Sequence, residues 1–289
     1  MFNYHPYPRW RTLLLVTSVL LLAGCSASRL AYNNLDWLIG WKVDDYVSLD
    51  RNQKRWLSSR TRQHLAWHCS TELPRYLPLL DELESTLDAA HLDASMLVEG
   101  LPQVEAAADR LLLETAPTVI GLLRQLDAGQ VKELAINLQE KHRELEEKYI
   151  EPDLTTQHQE RIERAQERLE DWLGPLNSQQ YARLSDWAAQ LQGHNGIWLQ
   201  NRQAWQQAFV QALASRDESD FDERIISLLI DRERYWITDF KRIAAANREH
   251  GTRLAADLVK MASSKQKAHL TLRFDGLRSD IEALRCSEA

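Results

Sequence analysis

Leu126-Asp127-Ala128-Gly129-Gln130 opens a stretch in which Val131, Leu134, Ala135, Leu138, Leu145 and Tyr149 return at helical spacing. Side chains so spaced fall on one stripe of an α-helix, and the Glu, Lys and Gln residues between them face away from it. The pentapeptide is a start signal. Asp127 offers a carboxylate to an unpaired N–H near the third helical position, and the Gln130 amide reaches back to the N–H of Asp127, closing a capping box. The device recurs in Leu49-Asp50-Arg51-Asn52-Gln53, in Leu176-Asn177-Ser178-Gln179-Gln180 and in Ala262-Ser263-Ser264-Lys265-Gln266. Asp50, Asn177 and Ser263 are therefore read as caps, and Gln53, Gln180 and Gln266 as their box partners. The leading Leu can staple to Val131 or Tyr181, whereas Lys54 and Lys267 weaken the staple in the other two copies. Thr156 with Gln159 reads as a related start. Unequal spacing between the four openers argues against a solenoid.

Working outward, the rest of the chain follows the same period. Trp236, Phe240, Ile243, Leu254, Leu258 and Met261 form one stripe, and Leu270, Phe274, Leu277, Ile281 and Leu284 form another. Gly and Pro are sparse, no Pro follows Pro175, and alternating β-branched runs are absent. Each stripe needs a partner to cover it. The fold expected is all-α, an irregular antiparallel multi-helix bundle of roughly nine to twelve helices, since globular helices typically run 8–20 residues. A weak seam is expected near 151–156, between an N-terminal and a C-terminal helical half.

The first residues do not belong to that bundle. Arg9 and Arg11 precede an apolar run from Thr12 to Ala23 that is short for a membrane span, the pattern of a cleaved signal peptide. The run ends in Leu22-Ala23-Gly24-Cys25, which resembles the lipobox of bacterial lipoproteins. The resemblance implies removal of residues 1–24 and lipid on Cys25, with residues 25–30 as a short tether and 31–289 as the helical domain. Several acyl chains exceed the two signals that stable anchoring requires, at about 0.8 kcal/mol per buried CH₂. Ser rather than Asp at residue 26 implies an outer-membrane, periplasm-facing destination ahead of the inner membrane. The expected partner is thus the membrane, reached through lipid on Cys25.

Loss of Arg9 and Arg11 takes the formal net charge from −7 to −9. With no basic face, the mature chain is a poor match for nucleic acid. Its acidic surface is repelled by anionic lipid, so adhesion falls to the acyl chains. Two thiols remain, Cys69 and Cys286, and in an oxidising compartment they form a disulfide candidate tying the second helix to the end of the last. Closing so long a loop removes roughly 5 kcal/mol of unfolded-state freedom in the chain-entropy account.

The four openers resemble the Leu-Thr-x-x-Gln motif of small periplasmic stress chaperones of the Spy and CpxP type, with Asp, Asn or Ser in place of Thr. A likeness over nearly the whole mature chain is carried by Tyr32-Asn33-Asn34-Leu35-Asp36-Trp37, Trp67-His68, Glu72-Leu73-Pro74-Arg75-Tyr76 and Trp172-Leu173-Gly174-Pro175-Leu176. In that order they resemble an uncharacterised family of proteobacterial lipoproteins with a domain of unknown function. The resemblance implies a lipid-anchored helical domain and brings no activity, ligand or catalytic residue. A polar or basic residue usually stands in that family where this chain has Cys69, so the bridge is expected as a property of this sequence.

Candidate chemistry is thin. His64 and His68 lie four apart and could face one metal, but no third ligand follows in register, because Cys69 points about 100° away from His68 on a helix. No metal site is expected. His68, Glu72 and Arg75 beside Pro74 form a possible polar ligand or partner site. There is no Gly-x-Ser-x-Gly elbow, His-Glu-x-x-His helix, P-loop or Gly-x-Gly-x-x-Gly turn, and no cofactor is expected. From Glu140 to Glu170, Glu144 with Lys148 and Glu160 with Arg164 have the favourable i,i+4 order of solvated helices. Trp37 and Trp41 sit four apart near the anchor, at a height suited to a membrane interface. Trp187, Trp198, Trp205 and Trp236 read as core. The function expected is a non-enzymatic binding or scaffold module, chaperone-like, with an envelope protein as partner. The alternative is a cell-envelope hydrolase acting on lipid or cell-wall material, centred on His68.

Overall fold

A computed structural model describes residues 32–284, and all of its regular structure there is helical. The expected signal peptide, Cys25, the expected tether at 25–30 and Cys286 lie outside the described residues. In chain order the helices are α1 (Leu35–Asp44), α2 (Arg51–Trp67), a π-helical turn (His68–Glu72), α3 (Leu73–Leu87), α4 (Ala94–Gln125) and α5 (Ala128–Tyr149). They continue with α6 (Leu154–Leu173), α7 (Ser178–Gln190), α8 (His194–Ala214), α9 (Phe221–Ile230), a 3₁₀ turn (Arg232–Tyr235), α10 (Thr238–Lys260) and α11 (Ser264–Ala283). The protein is an all-α multi-helix bundle.

All four openers form closed capping boxes, at the starts of α2, α5, α7 and α11. Helix α6 starts differently from the sequence expectation. Asp153, not Thr156, is its cap, accepting from Thr155 N at 2.9 Å and Thr156 N at 3.0 Å. Pro152 in front of it cannot continue a helix, and Asp is the stronger capping residue.

The Gln amides do more than close their own boxes. Gln130 Nε2 donates to Gln53 Oε1 at 2.7 Å and to Ser48 O at 2.9 Å. Gln266 Nε2 donates to Gln180 Oε1 at 2.9 Å and to Pro175 O at 3.0 Å. The openers are thus joined in two pairs, first to second and third to fourth.

That pairing exposes a regularity the spacing of single openers conceals. The starts of α2 and α7 are 127 residues apart, and so are the starts of α4 and α9. The starts of α5 and α11 are 136 apart. Buried positions keep the same offsets: Gln53 with Gln180, Leu57 with Leu184, Thr61 with Ala188 and Glu72 with Leu199 at the first; Ala107 with Ile243, Ile120 with Ala256, Leu123 with Val259 and Leu138 with Phe274 at the second. Two copies of one plan follow each other, with α1 corresponding to part of α6, α2–α3 to α7–α8, α4 to α9–α10 and α5 to α11. The second copy carries nine extra residues where α4 runs unbroken but its counterpart is split by the 3₁₀ turn. The helix break between α7 and α8 is set by Gly193, whose φ of +79° suits glycine alone without strain.

The copies interlock. Helix α3 packs on α11, and its counterpart α8 packs on α5, while α4 packs on both α9 and α10. Each hydrophobic core therefore draws on both copies. One joins Leu57, Leu123 and Leu138 to Leu213, Phe221 and Ile225; the other joins Leu184, Leu258 and Ile162 to Leu92, with Leu87 and Leu97 packed against it.

Candidate functional site

Pro74 shapes the region around His68. It has no N–H to give, and its ring would clash with the carbonyl one turn back, so the helix widens into the π turn His68–Glu72, where Leu73 N–H bonds His68 O. The wide turn swings Glu72 fully inward, to 0 % exposure. Arg110 on α4 grips both of its oxygens, Nε to Oε2 at 3.0 Å and Nη2 to Oε2 at 2.9 Å, with Nε also 3.1 Å from Oε1. Arg75 Nη1 closes on Oε1 at 2.7 Å. The Arg110 hydrogen bonds, with the charges of Arg110 and Arg75, outweigh burial and hold the Glu72 carboxyl below the usual range. Glu72 is therefore ionised and spoken for.

His68 sits between two phenols. Its Nδ1 is 3.0 Å from Tyr32 Oη and its Nε2 is 3.2 Å from Tyr76 Oη. Burial pushes the imidazole pKa down against the opposing pull of Glu72, which keeps the ring neutral at pH 7. Tyr32 donates its hydroxyl to Leu65 O at 3.2 Å, so a consistent assignment has His68 Nδ1–H donating to Tyr32 and Tyr76 donating to Nε2. Burial raises the Tyr32 phenol to about 12 and the Tyr76 phenol in the same direction. Both ring nitrogens of His68 are engaged and Glu72 has no idle oxygen, so the trio His68, Glu72 and Arg75 forms a lock that joins Tyr32, α2, α3 and α4. Of the three, Arg75 is about half exposed, His68 is partly buried and Glu72 is fully buried.

His64 turns to other partners, with Nε2 2.7 Å from Thr118 Oγ1 and Nδ1 3.2 Å from Glu114 Oε1. Among the described residues no group of three or more His, Cys, Asp or Glu could hold a metal. Cys69 is buried and disulfide-bonded, and its Sγ lies 3.9 Å from Leu284 O, two residues before Cys286.

Beyond Tyr76 an apolar groove of about 800 Å³ opens between α3, α4, α10 and α11. Leu79, Leu80 and Leu83 form one wall, Leu101 and Val104 a second, and Ala255, Leu277 and Ile281 the remainder. Glu82 and Glu99 stand on its rim, and Gln103 Nε2 spans to Glu82 Oε1 at 3.1 Å. Leu83 and Val104 are exposed. In the second copy Gln206 and Gln207 stand where Leu79 and Leu80 stand in the first, so this face is apolar in one copy only.

A second cleft, about 660 Å³, lies between α4, α8, the 3₁₀ turn and α10. Sequence reading placed its tryptophans in the core. Trp187 and Trp205 are indeed half-buried against the two cores, but Trp198 and Trp236 line the cleft beside Arg202, with Trp205 reaching its wall as well. Trp198 is 37 % exposed. The missed signal was the spacing Trp198, Arg202, Trp205, which puts a charged residue in the middle of an aromatic stripe. In the charged stretch, Arg164 pairs with Glu160 at 3.0 Å as its spacing suggests, whereas Glu144 takes Lys141 at 2.8 Å, and Lys148 lies over the Tyr149 ring.

Among the described residues no helix is long and apolar enough to cross a membrane. No curated protein and no solved structure matches the chain. One family model does, over residues 45–241, which takes in the whole first copy from the end of α1, the linking helix α6 and the second copy as far as the start of α10. The lock around Glu72 and most of the aromatic cleft fall inside that span, and the α10–α11 side of the apolar groove falls beyond it. By that match the chain belongs to the family of unknown function DUF6279.

Proposed function

We propose that this protein is a lipid-anchored binding module of the bacterial envelope, displayed in the periplasm from the outer membrane by acyl chains on Cys25, and that its apolar groove takes an amphipathic helical segment of another envelope protein. The observation that carries the reading is the groove itself, about 800 Å³ walled by leucines from three sides, with Leu83 and Val104 exposed at its mouth. Concave, mostly apolar clefts of about 300–1,000 Å³ are the usual form of a binding site. An amphipathic helix fits because four helices already frame the groove and a fifth can lay its apolar face between them. The acidic rim of Glu82 and Glu99 favours a segment flanked by Lys or Arg. A chaperone-like role is the same chemistry applied to a segment not yet folded.

The hydrolase reading draws no support from the His68 region, where the carboxylate is ionised and doubly paired and, among the described residues, the only hydroxyls on the imidazole are two phenols that burial makes harder to ionise. The test uses the full chain in detergent micelles and a labelled amphipathic peptide with basic flanks, followed by fluorescence anisotropy. Leu83→Glu with Val104→Glu should weaken binding at least about tenfold, the cost of setting charges in an apolar contact. Peptide that binds both proteins equally refutes the groove. Mass spectrometry of the mature N-terminus tests the anchor independently, and a chain that does not begin at acylated Cys25 refutes it.

A further inference from the structure

The two copies differ at one pair of positions in a way that leaves a charge stranded. In the first, Arg75 reaches the buried Glu72 with Nη1 at 2.7 Å. In the second, Arg202 stands 127 residues on, at the equivalent place, but Leu199 occupies the position of Glu72. Arg202 Nη1 is buried with no hydrogen-bond partner, and Arg202 makes no ion pair among the described residues. The rest of the Arg202 side chain is only partly buried, and a guanidinium N–H group buried without an acceptor is costly, which favours an acceptor that arrives from outside.

Arg202 lines the aromatic cleft, and the lip of that cleft is the 3₁₀ turn that only the second copy carries. Four other charges of the cleft are about half exposed and face an opposite charge: Arg248 holds Glu105 at 2.8 Å and Arg232 lies 3.9 Å from Asp109. Asp231, Glu233 and Arg234 are exposed on the lip, where water and salt screen them. Arg202 is thus the cation left over, and the walls beside it are the indole of Trp198 and the edge-to-face pair of Trp236 and Phe240, 5.1 Å between centroids.

We propose that this cleft binds a small ligand in which one carboxylate is carried on a ring, the carboxylate taken by Arg202 and the ring lying against Trp198 and Trp236. A guanidinium presents paired N–H groups that match a carboxylate, and indole faces take either an aromatic ring or the C–H face of a sugar. A doubly charged phosphate fits less well, because Arg232 and Arg248 already face Asp109 and Glu105 and leave little beyond Arg202 to balance a second negative charge. The site is separate from the apolar groove and does not depend on it.

The experiment titrates the full chain in detergent micelles, followed by tryptophan fluorescence and calorimetry, with two ring carboxylates and their neutral counterparts: phenylacetate against phenylacetamide, and N-acetylmuramate against N-acetylglucosamine. At least one carboxylate should bind in the millimolar range or tighter, at least about tenfold ahead of its counterpart, the difference between a charge-assisted and an ordinary hydrogen bond. Which acid wins identifies the ring. Arg202→Gln should weaken binding by at least about tenfold, and should fold normally because Arg202 has no partner to lose. Leu199→Glu supplies the missing carboxylate from within, as in the first copy, and should abolish binding, whereas Arg75→Gln in the other copy should leave it unchanged. Absence of binding at millimolar concentration, equal affinity for the neutral compounds, or binding indifferent to Arg202→Gln overturns the proposal.

Discussion

Replacing Gln180 with Leu isolates what the amide joint between openers contributes, because Leu fills nearly the same volume without polar atoms. Gln180 is fully buried. Its Nε2 donates to Leu258 O at 3.0 Å, and its Oε1 accepts from Asn177 N at 3.0 Å and Gln266 Nε2 at 2.9 Å. Leu258 O lies in the last turn of α10, where carbonyls lack helical partners, so losing Gln180 strands it. Gln266 Nε2 keeps Pro175 O, and Asn177 N lies near enough to the surface to take water. One stranded acceptor and one half-stranded donor, at about 1–3 kcal/mol for each fully unsatisfied buried group, predict a loss of about 2–4 kcal/mol. That is a large share of the 5–15 kcal/mol typical of a folded domain. The assay is equilibrium urea unfolding of the full chain, read by circular dichroism at about 222 nm and analysed by linear extrapolation. Gln53→Leu should cost less, because its joint with Gln130 is only partly buried and water can substitute. Gln180→Leu with Gln266→Leu should cost clearly less than the two singles added, since they share a bond. A loss under about 1 kcal/mol for Gln180→Leu, or a larger loss for Gln53→Leu, refutes the account of the joints.

The ion pairs of Glu72 make stability depend on pH in a fixed direction. Its folded pKa lies below the ordinary 4.5, so the contribution is complete above pH 4.5 and drains away as pH falls below it through the lowered value. Glu72→Gln should be less stable than the parent at pH 7, with the gap narrowing in acid melts; a gap that does not change with pH sinks this attribution. On α1, Trp37 and Trp41 are 65 % and 58 % exposed and stacked at 6.5 Å between centroids. In the full chain reconstituted into phosphatidylethanolamine–phosphatidylglycerol vesicles, the tryptophan emission should be blue-shifted relative to micelles of short-chain detergent, and Trp37→Ala with Trp41→Ala should remove that difference. An unchanged shift would place the pair away from the lipid. Peptide mapping without reductant should recover a Cys69-containing peptide joined to one containing Cys286, and Cys69 that alkylates freely in unfolded, unreduced protein contradicts the bridge.

Helix content, cap residues and stripes were readable because they are local: a cap acts over three residues and a stripe over seven. The pairing of openers was not, because Gln53 meets Gln130 only once α4 has carried the chain back, and a single Gln gives no hint of a second partner. The two-copy plan was hidden for a related reason. The nine residues inserted before α10 shift the second offset from the first, so equal spacings never appear in one register. At His68 the sequence showed which residues gather but not that Arg110, 38 positions from Glu72, closes the carboxylate from another helix. At Arg202 the decisive fact is a missing acid, which acquires meaning only beside its counterpart Arg75.

The crossing of α3 onto α11 and of α8 onto α5 has a consequence for biogenesis. A chain threaded across a membrane arrives from its N-terminus, and the corner formed by Leu87, Leu92 and Leu97 emerges long before Leu184 and Leu258, the residues that cover it. If this chain is exported as proposed, the first copy would reach the far side with a sticky flank and no means of covering it until α10 follows. Export would then leave a half-finished molecule waiting, and the early half would depend on attendants in the compartment. Cutting the chain between α5 and α6 should give two fragments that remain insoluble apart and regain their helices only when mixed.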